Sequence, residues 1–414
     1  MGKAIVIGAG IIGLSSAYYL QQSGWEVTIL EKGDLSDNCS FGNAGMIVPS
    51  HFVPLAAPGM LEKGIKWMFN SKSPFYVRPS LNMDLVGWGL KFMKSANQQQ
   101  AEKAAVPLRD ISLLSKDLYT DITAKIGDFG LTNNGILMLY KTDKVGEEEL
   151  HIAEQARNLG LDVASLSAAE AQSLQPDLKL DVLGAVHYRC DAHLNPNTLM
   201  ALLKGYLEKA GVKIIQNAEV TKIIHEKGKI SKLVAGGKEY SADHYVLAGG
   251  SWSPAIAKIA GFKIPMMPGK GYSFKVDDTQ KNMHIAALLC EAKVSVTPMG
   301  PKIRFGGTME IDAINDRINM NRVKGIVESI PQYFPDIAPA LPDTKDIWFG
   351  FRPCSPDGLP YLGNSKSLEN LTVATGHGMM GVSLGPATGK LVSELINGTP
   401  LTMDIKPFSA NRFL

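Results

Sequence analysis

The sequence predicts an α/β protein of two interleaved domains, on the basis of three observations. The 414 residues exceed the usual size of one domain and can bury a large core unaided. Segments that alternate strand and helix occur at 1–45, 191–261 and 346–414, and we expect them to form one discontinuous domain with a parallel sheet. The intervening segments, 46–190 and 262–345, are expected to form a second domain with helices and a mostly antiparallel sheet.

Composition and charge exclude several classes of protein. Lys and Arg number 42 and Asp and Glu number 40, so the net charge of +2 produces no long-range field that would favour nucleic acid, and no nucleic-acid partner is expected. No run of about 18 uncharged apolar residues is present to span a membrane. The apolar run AIVIGAG near the N-terminus is interpreted as a strand and not as a signal peptide, because no small-residue cleavage site follows it. This favours a cytoplasmic protein and leaves open peripheral contact with the inner face of a membrane. No metal is expected, because zinc-type or disulfide-type spacing is absent among Cys39, Cys190, Cys290 and Cys354.

The first thirty residues have the pattern of a βαβ unit. A short apolar strand is predicted at 4–7, a helix of 3.6-residue period at 11–22 and a second strand at 26–30. The following stretch, 34–58, is rich in Gly, Pro, Ser and Asn and marks the end of this unit.

The remaining elements follow from the same periodicities. Asn195 and Pro196 are typical of the cap and first residue of a helix that extends to about residue 210. Other helices are predicted at 61–69, 84–94, 101–126 (as one or two helices), 252–260 and 384–396, and other strands at 135–140, 212–215, 220–225, 245–248, 272–276, 285–289, 293–298, 302–307, 348–351 and 371–374.

A glycine-rich turn, GAGIIG, joins the first strand to the first helix. Gly8 permits the tight turn, Gly10 lets a pyrophosphate approach the backbone, and Gly13 lets the helix pack closely on the strand. Glu31 ends the second strand, 18 residues after Gly13, where it can accept hydrogen bonds from an adenosine ribose. The alternative is that these glycines serve only the turn. The combined pattern indicates a Rossmann-like dinucleotide-binding unit, for which FAD and NAD both remain candidates.

Glycines elsewhere in the chain favour FAD. The βα order breaks after Glu31, whereas an NAD-binding domain usually continues with further βα units. Glycine clusters recur at 249–250 and 376–381, which indicates a long ligand that approaches the backbone in several places.

Longer motifs carry a family resemblance. They are GAGIIG, SFGNAGMIVPS, AGGSWSP, PGKGYSF, RFGGTME, WFGFRPCSPDGLPYLG and ATGHGMMGVSLGPATGKL, in that order. The set resembles the FAD-dependent D-amino acid oxidase superfamily, and within it the bacterial D-amino acid dehydrogenase branch; glycine oxidases share the RPxxPDG element. The resemblance implies a discontinuous FAD-binding domain, a substrate-binding domain, and oxidation of an amine carbon that bears a carboxylate.

The resemblance also implies residues that bind FAD. Glu31 corresponds to the ribose ligand, Val220 to a backbone contact with adenine, and Gly250 to a contact on the pyrophosphate side. The head of the last helix corresponds to a segment whose N–H groups stabilise negative charge on the reduced flavin. The expected set is Gly8, Gly10, Ile12, Gly13, Glu31, Lys32, Asn43, Ala44, Gly45, Val220, Gly250, Gly378, Met379, Met380 and Gly381.

We expect this FAD to be bound without a covalent link. Related sarcosine oxidases attach flavin through a cysteine several residues before the PD pair, whereas Gly350 lies at about that place in this chain. Cys354 stands only three residues before Asp357 and is interpreted as a small packed residue.

Three residues are candidates for catalysis. Arg352 matches the arginine that pairs with the substrate carboxylate, and a guanidinium suits this role because it binds a carboxylate through two parallel hydrogen bonds and stays charged. Its alternative role is a structural salt bridge, with Arg304 as the rival arginine. Tyr272 matches a tyrosine near that carboxylate and is otherwise a core residue. His51 is a candidate for the substrate pocket and is otherwise a loop histidine. The position of His377 between two glycines favours a role in backbone geometry or a flavin contact over general-base catalysis.

These observations predict FAD-dependent oxidative deamination of a D-amino or cyclic imino acid by hydride transfer to flavin, with electrons passed to a quinone or carrier. The pocket segments PSHFVPLAAPG and PGKGYSF lack an obvious acid, which favours D-proline, its hydroxylated relatives or small neutral D-amino acids over D-arginine or D-lysine. The alternatives are a glycine or sarcosine-type oxidase that uses oxygen and forms peroxide, an electron-relay subunit of a larger complex, and an NAD enzyme. The aromatic residues Trp67, Phe69, Trp88 and Phe92 indicate interdomain packing or a peripheral membrane face.

Overall fold

A computed structural model describes residues 2–59, 73–78, 82–277 and 282–413. The helix predicted at 61–69, with Trp67 and Phe69, lies outside these ranges. The helices are α1 (Ile11–Gln22), α2 (Met83–Ser95), α3 (Gln98–Ile126), α4 (Asp143–Asn158), α5 (Ala168–Leu174), α6 (Pro196–Lys209), α7 (Ser253–Ile259), α8 (Met320–Tyr333) and α9 (Gly381–Asn397). The strands are β1 (Lys3–Ile7), β2 (Glu26–Leu30), β3 (Met46–Ile47), β4 (Phe75–Val77), β5 (Ile136–Tyr140), β6 (Val163–Ser167), β7 (Gly184–Tyr188), β8 (Ala192–His193), β9 (Lys213–Ile215), β10 (Val220–Glu226), β11 (Lys229–Ala235), β12 (Lys238–Tyr240), β13 (His244–Leu247), β14 (Met267–Asp277), β15 (Ala286–Leu289), β16 (Val294–Met299), β17 (Lys302–Ile311), β18 (Trp348–Cys354), β19 (Tyr361–Asn364) and β20 (Leu371–Thr375).

The predicted βαβ unit forms the centre of a six-stranded sheet. The strand order is β19-β20-β13-β1-β2-β9, and every neighbouring pair is parallel except β19 with β20. Successive residues of β1 point to opposite faces of this sheet. Ala4 and Val6 therefore pack into a core with α1 and α9, whereas Ile5 and Ile7 pack into a second core with the small sheet β10-β11-β12. The buried parallel sheet with both faces covered confirms the predicted α/β class.

The second sheet is mostly antiparallel, as predicted. Its order is β18-β14-β17-β16-β15-β5-β7-β6, with β4 beside β17. Only the pairs β15 with β5 and β17 with β4 are parallel. Helix α8 packs on one side of it through Val323, Ile326 and Ile330, which share a core with Phe274 and Phe305. The opposite side is left to line the cavity described below.

Several elements contact the sheet or helices of the other set of segments, and two of them are β18 and α3. Strand β18 lies within 346–414, yet it is an edge strand of the second sheet and pairs with β14. Helix α3 lies within 46–190, yet it packs on α9, and the Tyr119 hydroxyl donates to the Val382 carbonyl at 2.5 Å. The predicted division into domains stays a prediction.

Aromatic residues of α2 face the protein interior. The Trp88 indole N–H donates to the Cys354 carbonyl at 2.8 Å, and the Trp88 and Phe92 rings stack with centroids 5.1 Å apart. These contacts favour the packing interpretation for both rings. Across the described residues, no helix combines the length and apolar character that crossing a membrane requires.

Candidate active site

A cavity of about 1320 Å³ lies where the carboxyl ends of parallel strands meet one face of the second sheet. The ends of β1, β2, β13 and β20 line one part of it. This edge is where open α/β sheets bind their ligands. The other part is lined by a row of residues that strand register places side by side: Trp348, Ser273, Gly306, Ser295, Leu288 and Met138.

The three glycines of the first turn have different surroundings. A Cβ at Gly8 would lie 2.6 Å from the Ala248 carbonyl oxygen, and the residue has φ +105°. A Cβ at Gly13 would lie 1.9 Å from the Gly8 carbonyl oxygen, so no side chain fits between helix and turn. At Gly10 the nearest atom to such a Cβ would be the Ser40 hydroxyl, at 3.6 Å, and Gly10 lines the cavity. Bare backbone therefore faces the cavity beside the first turn of α1.

Glu31 is held by backbone N–H groups at the end of β2. Its Oε2 accepts from the Ala9 N–H at 2.7 Å and its Oε1 from the Gly33 N–H at 2.9 Å. A carboxylate has about four acceptor positions, so two remain for a ligand. Next to it, the Lys32 ammonium lies 3.5 Å from the centre of the Trp252 ring, and burial lowers its pKa.

Arg304 supports the loop that contains Asn43. Its guanidinium donates to the Phe41 and Asn43 carbonyls at 3.0 and 2.5 Å and to the Asn197 side chain at 2.6 Å. Burial lowers its pKa to about 10. Because these three acceptors occupy it and it lies outside the cavity lining, Arg304 is placed as a support of the loop and not as a rival for the substrate.

The last helix begins at the cavity wall. A 3-10 turn, Gly378–Met380, leads into α9, and no side chain caps this N-terminus. The N–H groups and the positive end of the helix dipole are thus available to a negative charge. The His377 ring is tied to this helix, with Nε2 3.0 Å from the Thr388 hydroxyl, and burial lowers its pKa to about 3.

Arg352 lies in the cavity without an acidic partner. Its Nη1 donates to the Thr308 carbonyl at 2.6 Å, and no carboxylate of the described residues forms an ion pair with it. The guanidinium lies against bare backbone, since a Cβ at Gly271 would be 2.2 Å from Nη1. Burial lowers the pKa of Arg352 from the usual arginine value. Guanidinium groups stay protonated in proteins because their ordinary pKa is so high. The structural salt-bridge alternative therefore has no partner in the described chain.

The Tyr272 hydroxyl is engaged within the protein. It donates to Glu310 Oε1 at 3.2 Å and accepts from the Asn319 N–H at 3.1 Å. Glu310 in turn pairs with the buried Arg322, at 3.2 Å. Tyr272 borders the cavity, but these contacts favour its interpretation as a core tyrosine, and burial raises its pKa.

His51 borders the cavity as a neutral ring. Burial, with the positive charge of Lys293, lowers its pKa to about 4. The neighbouring Ser50 hydroxyl donates to the buried Asp191 carboxylate at 2.5 Å, and the Ser50 N–H donates to the same carboxylate at 3.0 Å. Burial raises the pKa of Asp191 to about 7. Sequence patterns offered no signal for this pair, because its members are 141 residues apart.

Acidic residues also line the cavity, contrary to the expectation from the two pocket segments. Glu148 and Glu149 come from α4, and Glu291 follows β15. Glu149 is buried, its pKa is raised by burial, and it lies 3.8 Å from the Lys293 ammonium.

Most of the predicted site residues line this one cavity. Gly13 and Gly45 do not: Gly13 serves helix packing, and a Cβ at Gly45, where φ is +73°, would lie 2.1 Å from the Leu194 carbonyl oxygen. Those that line it are Gly8, Gly10, Ile12, Glu31, Lys32, Asn43, Ala44, His51, Val220, Gly250, Tyr272, Arg352, Gly378, Met379, Met380 and Gly381. The described residues contain no group of acidic, His or Cys side chains arranged for a metal ion.

Comparisons with known proteins identify relatives over nearly the whole chain. Residues 3–395 match the model of a family described as FAD dependent oxidoreductase. A D-amino acid dehydrogenase of Helicobacter pylori is 30% identical over 99% of this chain and 98% of its own length. One from Paramagnetospirillum magneticum is 28% identical over 99% of both chains.

Solved structures of similar fold include two enzymes. Glycine oxidase from Geobacillus kaustophilus has a TM-score of 0.80, 23% identity and complete coverage of both chains. L-proline dehydrogenase from P. horikoshii has a TM-score of 0.76 and 20% identity, over 100% of this chain and 97% of its own.

Proposed function

The chain belongs to the FAD dependent oxidoreductase family, and from this premise we propose that it is a D-amino acid dehydrogenase that oxidatively deaminates a D-amino or cyclic imino acid. The observation that carries the proposal is Arg352, a charged group without an acidic partner in a cavity that also presents a dinucleotide cradle. Such a guanidinium binds a substrate carboxylate in one orientation.

The residues around the cavity fit FAD. Backbone without a side chain faces the cavity at Gly10, Gly250 and Gly378, and at the latter two an added Cβ would meet no atom within 4 Å. Glu31 retains free acceptor positions for ribose hydroxyls, and the N-termini of α1 and α9 suit negatively charged groups. Bound FAD supplies the electron-pair acceptor for the oxidation. Cys354 is buried beside Met267 and Met309, outside the cavity lining, which supports binding without a covalent link.

The side chains would act mainly by positioning. Arg352 would hold the carboxylate and thereby fix the α-carbon relative to the cofactor. The neutral ring of His51 would accept a hydrogen bond from the substrate. The N-terminus of α9 would stabilise negative charge that develops in the cavity. The second sheet, which lines one part of the cavity, would limit the contact of the reacting groups with water.

We infer a compact, neutral side chain for the substrate, such as that of D-proline, its hydroxylated relatives or D-alanine. Glu149 lies beside Lys293, so this pair offers no free carboxylate to a cationic side chain. Purified enzyme is mixed anaerobically with D-proline, D-alanine, D-arginine and the L-enantiomers, and the flavin absorbance is followed. Bleaching by the neutral D-substrates is expected. Faster bleaching by D-arginine would contradict the inferred side chain, and no bleaching by any amino acid would support the electron-relay alternative.

We infer that the electrons pass to a quinone or carrier, in keeping with the dehydrogenase names of the relatives. Exposed apolar side chains on α2, Met83, Val86, Leu90 and Met93, support peripheral contact with a membrane where a quinone would be dissolved. The fold similarity to glycine oxidase favours the second candidate, a peroxide-forming oxidase. The two differ in acceptor: reduction of a soluble quinone analogue without peroxide supports the dehydrogenase, and one peroxide per turnover supports the oxidase.

A further inference from the structure

We propose that Thr308 is a second binding residue for the substrate carboxylate: its carbonyl positions the Arg352 guanidinium, and its hydroxyl donates a further hydrogen bond to the bound anion. This inference rests on the proposed function, because it assumes that Arg352 binds a carboxylate. Thr308 and Arg352 both line the cavity.

Strand geometry builds the cradle of Arg352. Between the paired positions Lys270 with Glu310 and Tyr272 with Gly307, β14 has one residue and β17 has two, so β17 bulges at Thr308. Such bulges re-aim backbone groups and occur next to active sites. Here the bulge turns the Thr308 carbonyl to Nη1 of Arg352, while Gly271 on the opposite strand leaves room for the guanidinium.

Thr308 has two locally unfavourable features. Its φ is +63°, a conformation that a β-branched residue rarely adopts and that glycine would adopt without strain. Its hydroxyl is buried and has no hydrogen-bond partner among the described residues. The strained backbone and the unpaired hydroxyl thus occur in one residue at the cavity wall. Backbone strain of this kind is concentrated at functional sites. A partner supplied by the substrate accounts for the choice of threonine.

The hydroxyl of Thr308 is also less engaged within the protein than that of Tyr272. The resemblance placed Tyr272 near the substrate carboxylate, and its hydroxyl is engaged by Glu310 and Asn319. Two N–H groups of Arg352 leave further lone pairs on a carboxylate unpaired. Since the Thr308 hydroxyl has no partner among the described residues, it loses no hydrogen bond within the protein when it donates to a carboxylate held by Arg352.

The test measures binding of a substrate analogue that cannot be oxidised. Cyclopentanecarboxylate has the ring and anion of proline but no nitrogen. Its Kd for the FAD-loaded enzyme is measured by calorimetry for the wild type and for Thr308→Val, Thr308→Ala and Thr308→Ser. The matched control is Thr297→Val, which removes another buried hydroxyl without a partner, on the neighbouring strand β16 and outside the cavity lining.

We expect Kd to rise about tenfold to a hundredfold in Thr308→Val and Thr308→Ala, as for a lost hydrogen bond to a charged group. Thr308→Ser and Thr297→Val should keep the wild-type Kd. With D-proline, Thr308→Val should raise KM and leave kcat and FAD content unchanged, whereas a merely structural role would change FAD content or thermal stability.

The outcomes separate this inference from the proposed function. A wild-type Kd in Thr308→Val, or an equal loss in Thr308→Ser, would overturn the role of the hydroxyl even if D-amino acids reduce the enzyme. A wild-type enzyme that binds no carboxylate and is reduced by no amino acid would overturn the proposed function, and this inference with it.

Discussion

The Arg352 guanidinium lies directly over Gly271, so close that a Cβ at residue 271 would be 2.2 Å from Nη1. The two residues belong to adjacent antiparallel strands, where Gly271 pairs with Gly350 and Arg352 pairs with Gly269. A cation thus rests on bare backbone in a cavity, with the Thr308 carbonyl as its hydrogen-bond partner.

Gly271→Ala should displace Arg352 and weaken substrate binding. Gly271 does not have a positive φ, so alanine strains no backbone there and its effect is steric. We expect kcat/KM to fall because transition-state stabilisation is reduced by about 1.5–3 kcal/mol, and we expect FAD to be retained. The control is Gly205→Ala, where an added Cβ would meet no atom within 4 Å. Steady-state kinetics that are unchanged in Gly271→Ala would contradict this placement of the guanidinium.

Arg352→Ala should abolish productive binding of the carboxylate. The charged hydrogen bonds that are lost contribute about 1.5–3 kcal/mol each, and the substrate anion would have no cation in their place. FAD content, measured from the ratio of flavin to protein absorbance, should stay at the wild-type value. Full activity with FAD retained would show that another residue binds the carboxylate.

Arg304→Met should act on the cofactor loop and on stability. It leaves the carbonyls of Phe41 and Asn43 without the Arg304 donor, and it leaves the Asn197 side chain with Lys275 as donor, at 3.3 Å. We expect the free energy of unfolding to fall by about 3 kcal/mol or more, because each buried group that is left unpaired costs about 1–3 kcal/mol. Denaturant unfolding measures this change, and FAD titration should show weaker binding. A loss of substrate affinity alone would instead favour Arg304 as the carboxylate partner.

Glu31→Gln should weaken FAD binding. Glutamine has one acceptor oxygen and one donor NH2 group, so it cannot accept from both the Ala9 and Gly33 N–H groups as Glu31 does. We expect about a tenfold rise in the FAD dissociation constant, from the loss of about 1.4 kcal/mol. Fluorescence titration of the apoprotein measures it. Glu26→Gln, at the half-buried start of β2 and outside the cavity lining, should leave the constant unchanged.

Asp191→Asn should change the pH dependence of stability. Burial raises the pKa of Asp191 from 3.8 to about 7, so between these values the folded state holds a proton that the unfolded state has lost. The free energy of unfolding of the wild type should therefore fall as pH rises through this window. The free energy of unfolding of Asp191→Asn minus that of the wild type should increase from pH 4 to pH 7. The increase should be at most about 4 kcal/mol, at 1.36 kcal/mol per pKa unit.

Urea unfolding at several pH values measures this difference between Asp191→Asn and wild type. The exposed Asp117→Asn variant is the control for the replacement of an aspartate at the surface. A difference between Asp191→Asn and wild type that does not vary with pH would show that the Asp191 carboxylate is ionised throughout this range.

The sequence by itself determined the parts of the molecule that depend on neighbours along the chain. Periodicity located β1, α1 and β2 almost to the residue, and the glycine spacing indicated a tight turn at Gly8 and close helix packing at Gly13, which the surrounding atoms bear out. Asn195 caps α6 as predicted, with its side chain accepting from the Asn197 N–H. These features follow from backbone geometry within a few residues, which local sequence encodes directly.

Only the tertiary structure decided which partners the functional groups have. Tyr272 and Glu310 are 38 residues apart, and strand pairing brings them together so that the hydroxyl is engaged in the core. The bulge at Thr308 left no sequence pattern, because one extra residue in a strand changes register without changing composition. Glu149 reaches the cavity from a helix that the pocket motifs do not include. Partner choice depends on packing between distant segments, where hydrogen bonding and burial outweigh local preference.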